Sequence, residues 1–284
     1  MEYLDGKNLQ KKFLTEIKEF VSLLGIKPVL AIISIGENKA NTIFFKQIKK
    51  MTEFVGYEIE YYHYEDISLN TLLELINKLN KDPKITSIMI ELPIPKHLPL
   101  QKVRNTILPT KDIEGMNDKN KIKLKNGEGG YLPNTVLGTI MLLENYAINI
   151  CKKNVVIINR SETIGIPLAQ YFLKQDCTVT VCHSQTSNLE DYIKNADIVV
   201  TATGNPHFLS DKQFKENSTI IDIGINYLNG NLCGDVALSD EQNSKIKYFA
   251  KSIGGVGPMT ITALAYSILK SYYITKEDID NDKS

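Results

Sequence analysis

Apolar residues run along this chain in two rhythms. Short, nearly unbroken runs predict strands covered on both faces: Pro28 to Ser34, Ser87 to Glu91, Val155 to Ile158, and those starting at Ile198 and Thr219. Tyr57 to His63 and Thr178 to Cys182 read as two more strands. Between them, apolar positions recur every three or four residues. That spacing predicts helices from a cap at Asn8 to Leu24 with Gly25 as the stop, over Lys39 to Val55 closed by Gly56, and over Thr71 to Asn80. Further helices are expected over Thr135 to Tyr146 and Thr260 to Tyr273, with a frayed tail after Lys276. Strand and helix alternate, so the fold class is α/β with mostly parallel sheets. From Leu92 to Pro133 prolines and a Gly127-Glu128-Gly129-Gly130 cluster predict loops and short helices.

The segment VVIINRSETIGIPLA, Val155 to Ala169, joins a buried-strand pattern to a polar turn and a helix start. A turn of that kind can present backbone N–H groups to a phosphate. Asn159 stands where a G-x-G-x-x-G fingerprint would put its first glycine, which leaves Gly165 to permit close approach of helix and strand. The following strand ends in His183-Ser184-Gln185-Thr186, without the carboxylate that would hold an NAD ribose. With Arg160 able to bind a 2′-phosphate, the expected cofactor is NADP. The alternative is that Arg160 is a solvated loop residue and Ser184 a helix cap.

Composition narrows the class further. Lys+Arg and Asp+Glu both count 33, so no net field recruits nucleic acid or an anionic membrane. Cys151, Cys177, Cys182 and Cys233 show no C-x-x-C spacing and no signal peptide precedes them, which predicts a cytoplasmic protein with reduced thiols. His63, His97, His183 and His207 have no metal-ligand spacing, so no metal is expected. No apolar run approaches the ~20 residues of a membrane span.

IGGVGPMT at Ile253 to Thr260 follows, in chain order, Thr203-Gly204-Asn205-Pro206, then Ile221 to Asn226, then Gly234-Asp235-Val236. With IGENKAN at Ile35 to Asn41, the E-L-P-I-P run from Glu91 and K-D-I-E-G from Lys111, this set resembles the methylenetetrahydrofolate dehydrogenase/cyclohydrolase family over nearly the whole chain. The resemblance implies a homodimeric cytoplasmic enzyme with a catalytic domain over residues 1–137 and 260–284, a Rossmann-type NADP domain over 138–259, and a cleft between them. It implies cofactor contacts at Asn159, Arg160, Ser161, Ile164, Gly165, His183, Ser184, Thr203, Gly204 and Ile225, and substrate contacts at Asp112, Gly254, Gly255 and Pro258. On the residues alone, Asp112 reads as a turn-stabilising carboxylate.

The substrate side departs from the pattern. The family's Tyr-x-x-x-Lys pair on the second helix falls on Phe44 and Ile48, the glutamine of its Q-L-P-L-P run on Glu91, and the aspartate of K-D-x-D-G on Glu114. Lys to Ile and Gln to Glu each move the pocket one unit negative, about two in all, which suits a cation. Glu91 and Glu114, if close, would share a proton near neutral pH and stand in for the lysine; otherwise they are uncoupled surface carboxylates. Hydride transfer asks mainly for alignment, whereas cyclohydrolysis needs proton transfer, so dehydrogenase activity with weak or lost cyclohydrolase is expected. The alternatives are a paralogue acting on a different small imine or amine, cationic or neutral, and a non-catalytic NADP-binding partner.

Overall fold

A computed structural model describes residues 1–36, 39–239 and 245–281, with side chains omitted at 39–41 and 277–281. Part of the Ile35 to Asn41 segment therefore lies outside the described residues. In chain order the elements are β1 (Glu2–Tyr3), α1 (Gly6–Leu24), β2 (Val29–Ile35), α2 (Lys39–Val55), β3 (Glu58–Tyr64), α3 (Leu69–Lys81), β4 (Ser87–Ile90), α4 (Leu100–Thr106), α5 (Asp118–Asn126) and α6 (Asn134–Asn145). There follow β5 (Asn154–Ile158), α7 (Gly165–Lys174), β6 (Thr178–Cys182), α8 (Leu189–Ile193), β7 (Ile198–Thr201), β8 (Leu209–Ser210), β9 (Thr219–Asp222), β10 (Asn226–Leu228), β11 (Asn231–Cys233), β12 (Val236–Ala237), β13 (Tyr248–Ala250) and α9 (Gly257–Asn281).

The chain divides into two compact units. The first comprises Met1–Lys11 and Thr135–Thr260, around a six-stranded sheet in the order β1-β13-β9-β7-β5-β6, all pairs parallel. Four of these strands follow from the apolar runs. The other two, β1 and β13, are only two and three residues long and carry no pattern by themselves. Their pairing explains a departure from the expected division at 1–137: Glu2 N donates to Lys247 O at 2.8 Å and Leu4 N to Phe249 O at 2.9 Å, which ties residues 1–11 to this unit.

The second unit, Lys12–Asn134 with Ile261–Ser284, holds a parallel sheet in the order β3-β2-β4. Alternate residues of β2 feed two cores. Leu30 and Ile32 join α1, α2 and α9 residues on one face, and Val29, Ala31 and Ile33 join α3 and α4 residues on the other. Within this unit α9 is fixed by polar contacts as well: Tyr57 Oη donates to Ala265 O at 3.1 Å, Lys270 Nζ to Gly130 O at 2.6 Å, and Ser271 Oγ to Thr110 O at 2.8 Å.

Local details correct three expectations. The cap of α1 is Asp5, whose Oδ1 accepts from Lys7 N and Asn8 N, rather than Asn8. The last helix starts at Gly257 and runs to Asn281, past the expected end at Tyr273. The stretch Ser252–Lys276 does have the length and apolarity of a membrane span. Ile261, Leu264, Ala265 and Ile268 are nevertheless buried in the α1–α2–α9 core, so it is a core helix.

Candidate active site

Every residue expected to touch the cofactor follows the carboxyl end of a strand in the first unit: 159–165 after β5, 183–184 after β6, 203–204 after β7 and Ile225 after β9. Because all these strands are parallel, the residues collect at one edge of the sheet. The chain winds from β5 outward to β6 and then back across to β7, so the winding direction reverses at β5, where open α/β sheets bind ligands. Asn159 bridges that point, donating from Nδ2 to Ala202 O at 2.7 Å. Its Oδ1 accepts from Ser161 N at 2.8 Å, Ser161 Oγ at 2.7 Å and Gly165 N at 3.1 Å. Ser161 Oγ accepts in turn from Ile164 N at 3.2 Å. Three N–H groups expected to face phosphate are thus held inside the turn, while the Arg160 side chain is exposed at its rim. A Cβ on Gly165 would lie 2.0 Å from Asn159 O, so only glycine fits.

Next along the edge, His183 Nδ1 accepts from Gln185 N at 3.1 Å. Ser184 is exposed and caps nothing, since the N-cap of α8 is Asn188. Two buried aspartates that sequence reasoning left out of the site shape the remaining loops. Asp235 accepts from Thr201 Oγ1 at 2.8 Å, Thr203 N at 2.6 Å and Asn226 Nδ2 at 2.9 Å. Asp222 accepts from the backbone N–H groups of Gly224, Asp235 and Val236. Burial pushes Asp222 up to about 6, with Asp235 adding to the rise and those N–H groups opposing it. The signal was an acid ending the otherwise apolar TIID strand. In the glycine-rich segment, Gly254 adopts φ +90° and Pro258 O accepts from Gln10 Nε2 at 3.0 Å. Gly6 packs on this segment, since a Cβ there would meet Gly255 O at 1.8 Å, and a Cβ on Gly255 itself would lie 3.2 Å from Leu4 O.

In the second unit, α2 turns Ile48 fully into the core at 0% exposure, and Phe44 packs half-buried against the same cluster. Neither offers a group that exchanges protons. Glu91 follows β4 at 5% exposure, and neither of its carboxylate oxygens has a hydrogen-bond partner of normal geometry. The sheet register explains its neighbours. Ser34 pairs with His63, and Ile33 with Ile90, so His63, Ser34 and Glu91 form a row across the carboxyl ends of β3, β2 and β4. The row shares a face with Ile32 and Met89, the side on which α2 packs. Burial raises the Glu91 carboxyl above its ordinary value; Ser34 and His63 pull the other way.

Glu114 sits in a different environment. Burial first and Asp112 second push it up to about 7, with Arg104 opposing. Its electrostatic neighbours are Asp112 and Arg104, and those of Glu91 are Ser34 and His63, so of the two alternatives the paired acids are not what the structure forms, and buried Glu91 is no surface carboxylate either. Asp112 is 3% exposed, and its Oδ2 accepts from Asn117 N at 2.7 Å and Asn120 Nδ2 at 2.9 Å. Lys111 fastens the same turn by donating to the carbonyls of Leu79, Asn80 and Asp82, and burial lowers its ammonium to about 8. Sequence reasoning missed Ser34 and His63, because a lone serine in an apolar strand and a histidine on its neighbour align only once the register is known.

Two family models match the chain: the tetrahydrofolate dehydrogenase/cyclohydrolase catalytic domain over residues 4–114 and the NAD(P)-binding domain of the same enzymes over 133–276. The bifunctional protein FolD of Hydrogenobaculum sp. is 37% identical over 275 residues, covering 96% of this chain and 99% of its own. The structure of the bifunctional FolD methylenetetrahydrofolate dehydrogenase/cyclohydrolase of Campylobacter jejuni superposes with a TM-score of 0.91 at 37% identity, over 96% of this chain and 99% of its own. That of Trypanosoma brucei, complexed with NADP and an inhibitor, gives a TM-score of 0.88 at 28% identity, over 95% and 96%.

Proposed function

This chain belongs to the tetrahydrofolate dehydrogenase/cyclohydrolase family, with NADP as its cofactor, and from that premise we propose that it oxidises 5,10-methylenetetrahydrofolate while hydrolysing the methenyl product weakly or not at all. The observation that carries the proposal is the α2 face, where Ile48 is fully buried and Phe44 packs beside it. Bound NADP accepts a hydride, and that step asks the protein for alignment and exclusion of water. Arg160 would hold the cofactor's phosphates, with Asn159, Ser161 and Gly165 setting the turn that carries it. Hydrolysis also requires a group that takes a proton from water. An aliphatic side chain cannot, which removes on the order of 10²-fold or more from that step.

Homodimer formation and residence in the cytoplasm are part of the same reading. The test is incubation with NADP and methylenetetrahydrofolate, following NADPH and methenyltetrahydrofolate separately. The two products should accumulate in equal amounts. Conversion of the methenyl product to 10-formyltetrahydrofolate as fast as it forms would overturn the loss of hydrolase. Absence of NADPH, with NADP binding confirmed, would overturn the dehydrogenase.

A further inference from the structure

Glu91 is a carboxyl group walled off from water, and neither oxygen has a hydrogen bond of normal geometry. An ionised carboxylate so placed is strongly disfavoured, whereas the neutral acid is tolerated. The group is nonetheless not sealed in. Beside it stands the Ser34 hydroxyl, itself 3% exposed, and beside Ser34, in register, stands His63, which reaches solvent. The row runs from interior to surface along the carboxyl edge of a parallel sheet, where open α/β sheets receive ligands.

We propose that Glu91 is a proton-holding counter-ion for the positive charge of the folate: it is a neutral acid in the free protein and releases its proton through Ser34 and His63 when an amidinium cation occupies the site. The proposal rests on the folate reading above and deepens it. When the methylene carbon gives up hydride, the N–C–N unit keeps one positive charge. Glu91 meets that charge by breaking its O–H bond; the electron pair stays on the carboxylate and the proton passes to His63 and then to solvent. A lysine at position 48 would oppose the cation, and Ile48 does not. From β2 the group facing Glu91 is Ser34, from β3 it is His63, and α2 turns Phe44 and Ile48 to this face. Among the described residues His63 is the titratable group that acts on Glu91.

The test is calorimetric titration of the full chain with 5,10-methenyltetrahydrofolate near pH 6, in buffers of different ionisation enthalpy, which counts protons released per ligand bound. The parent should release close to one proton more than Glu91→Gln, and Glu91→Asp should keep the release. Tetrahydrofolate, which lacks the amidinium cation, should show no difference between parent and Glu91→Gln. His63→Gln should preserve the count and slow proton appearance in a stopped-flow indicator assay. Equal proton counts for parent and Glu91→Gln would overturn the proposal, as would failure of the parent to bind the cation. NADPH formation in the assay above would then still stand, so the two readings fail separately.

Discussion

At the scale of single residues, burial decides what each carboxylate can do. Glu114 and Asp222 are both raised, to about 7 and about 6, so each binds its proton more tightly in the folded chain than in the unfolded one. The sign follows from linkage. Stability is full below the ordinary carboxylate range and falls as pH rises towards the folded values, since the folded state must give up protons it holds tightly. Glu114→Gln should therefore leave stability at pH 4.5 nearly unchanged and add roughly 1–3 kcal/mol at pH 8, measured by urea unfolding at both values. Asp222 and Glu91, both also raised by burial, contribute to the slope that remains. A variant whose pH dependence matched the parent's would show that Glu114 titrates normally. The sequence makes these acids visible as letters, yet their chemistry depends on neighbours that a one-dimensional reading cannot supply. Whether Glu114 lies near Glu91 was open in the sequence, and the acid that acts on it is Asp112.

At the scale of elements, the apolar runs were legible because strands covered on both faces leave little room for polar residues. All seven residues of β2 are buried, as are all four of β4, β7 and β9. Helix interiors were equally readable, while their ends depended on single contacts such as Asp5 at the start of α1. The turn from β5 into α7 was read correctly in outline and incorrectly in detail, since Asn159 and Ser161 consume the N–H groups expected to face phosphate. That wiring gives a sharp prediction for Gly165. Its replacement by alanine puts a Cβ 2.0 Å from the Asn159 carbonyl, so β5 and α7 must separate. Gly165→Ala should cost about 2 kcal/mol or more and weaken NADP binding by at least about tenfold. Thermal unfolding with and without NADP checks both, and a variant that the cofactor stabilises as much as the parent would refute the close-approach role.

At the scale of the whole molecule, the sequence path matters more than the domain list. Residues 12–134 do not complete their own core, because Ile261, Leu264, Ala265 and Ile268 arrive from α9, after the entire nucleotide-binding unit has been traversed. This dependence was visible in the apolar stripe of the last helix. Its polar anchors were not, because Tyr57, Gly130 and Thr110 are distant in sequence from the residues they bind. A chain ending at Thr260 loses the burial of Ile261, Leu264 and Ile268, about 1.5–3 kcal/mol each, or roughly 5–9 kcal/mol together. That is comparable with the full stability of an ordinary domain, about 5–15 kcal/mol. The shortened chain should therefore leave residues 12–134 unfolded, while the six-stranded unit, whose strands all lie before Thr260, keeps its amide protection. Hydrogen exchange read peptide by peptide distinguishes the two. Protection lost only from 12–134 is the expected result, and protection retained there would mean that α1, α2 and the three-stranded sheet form a sufficient core without α9.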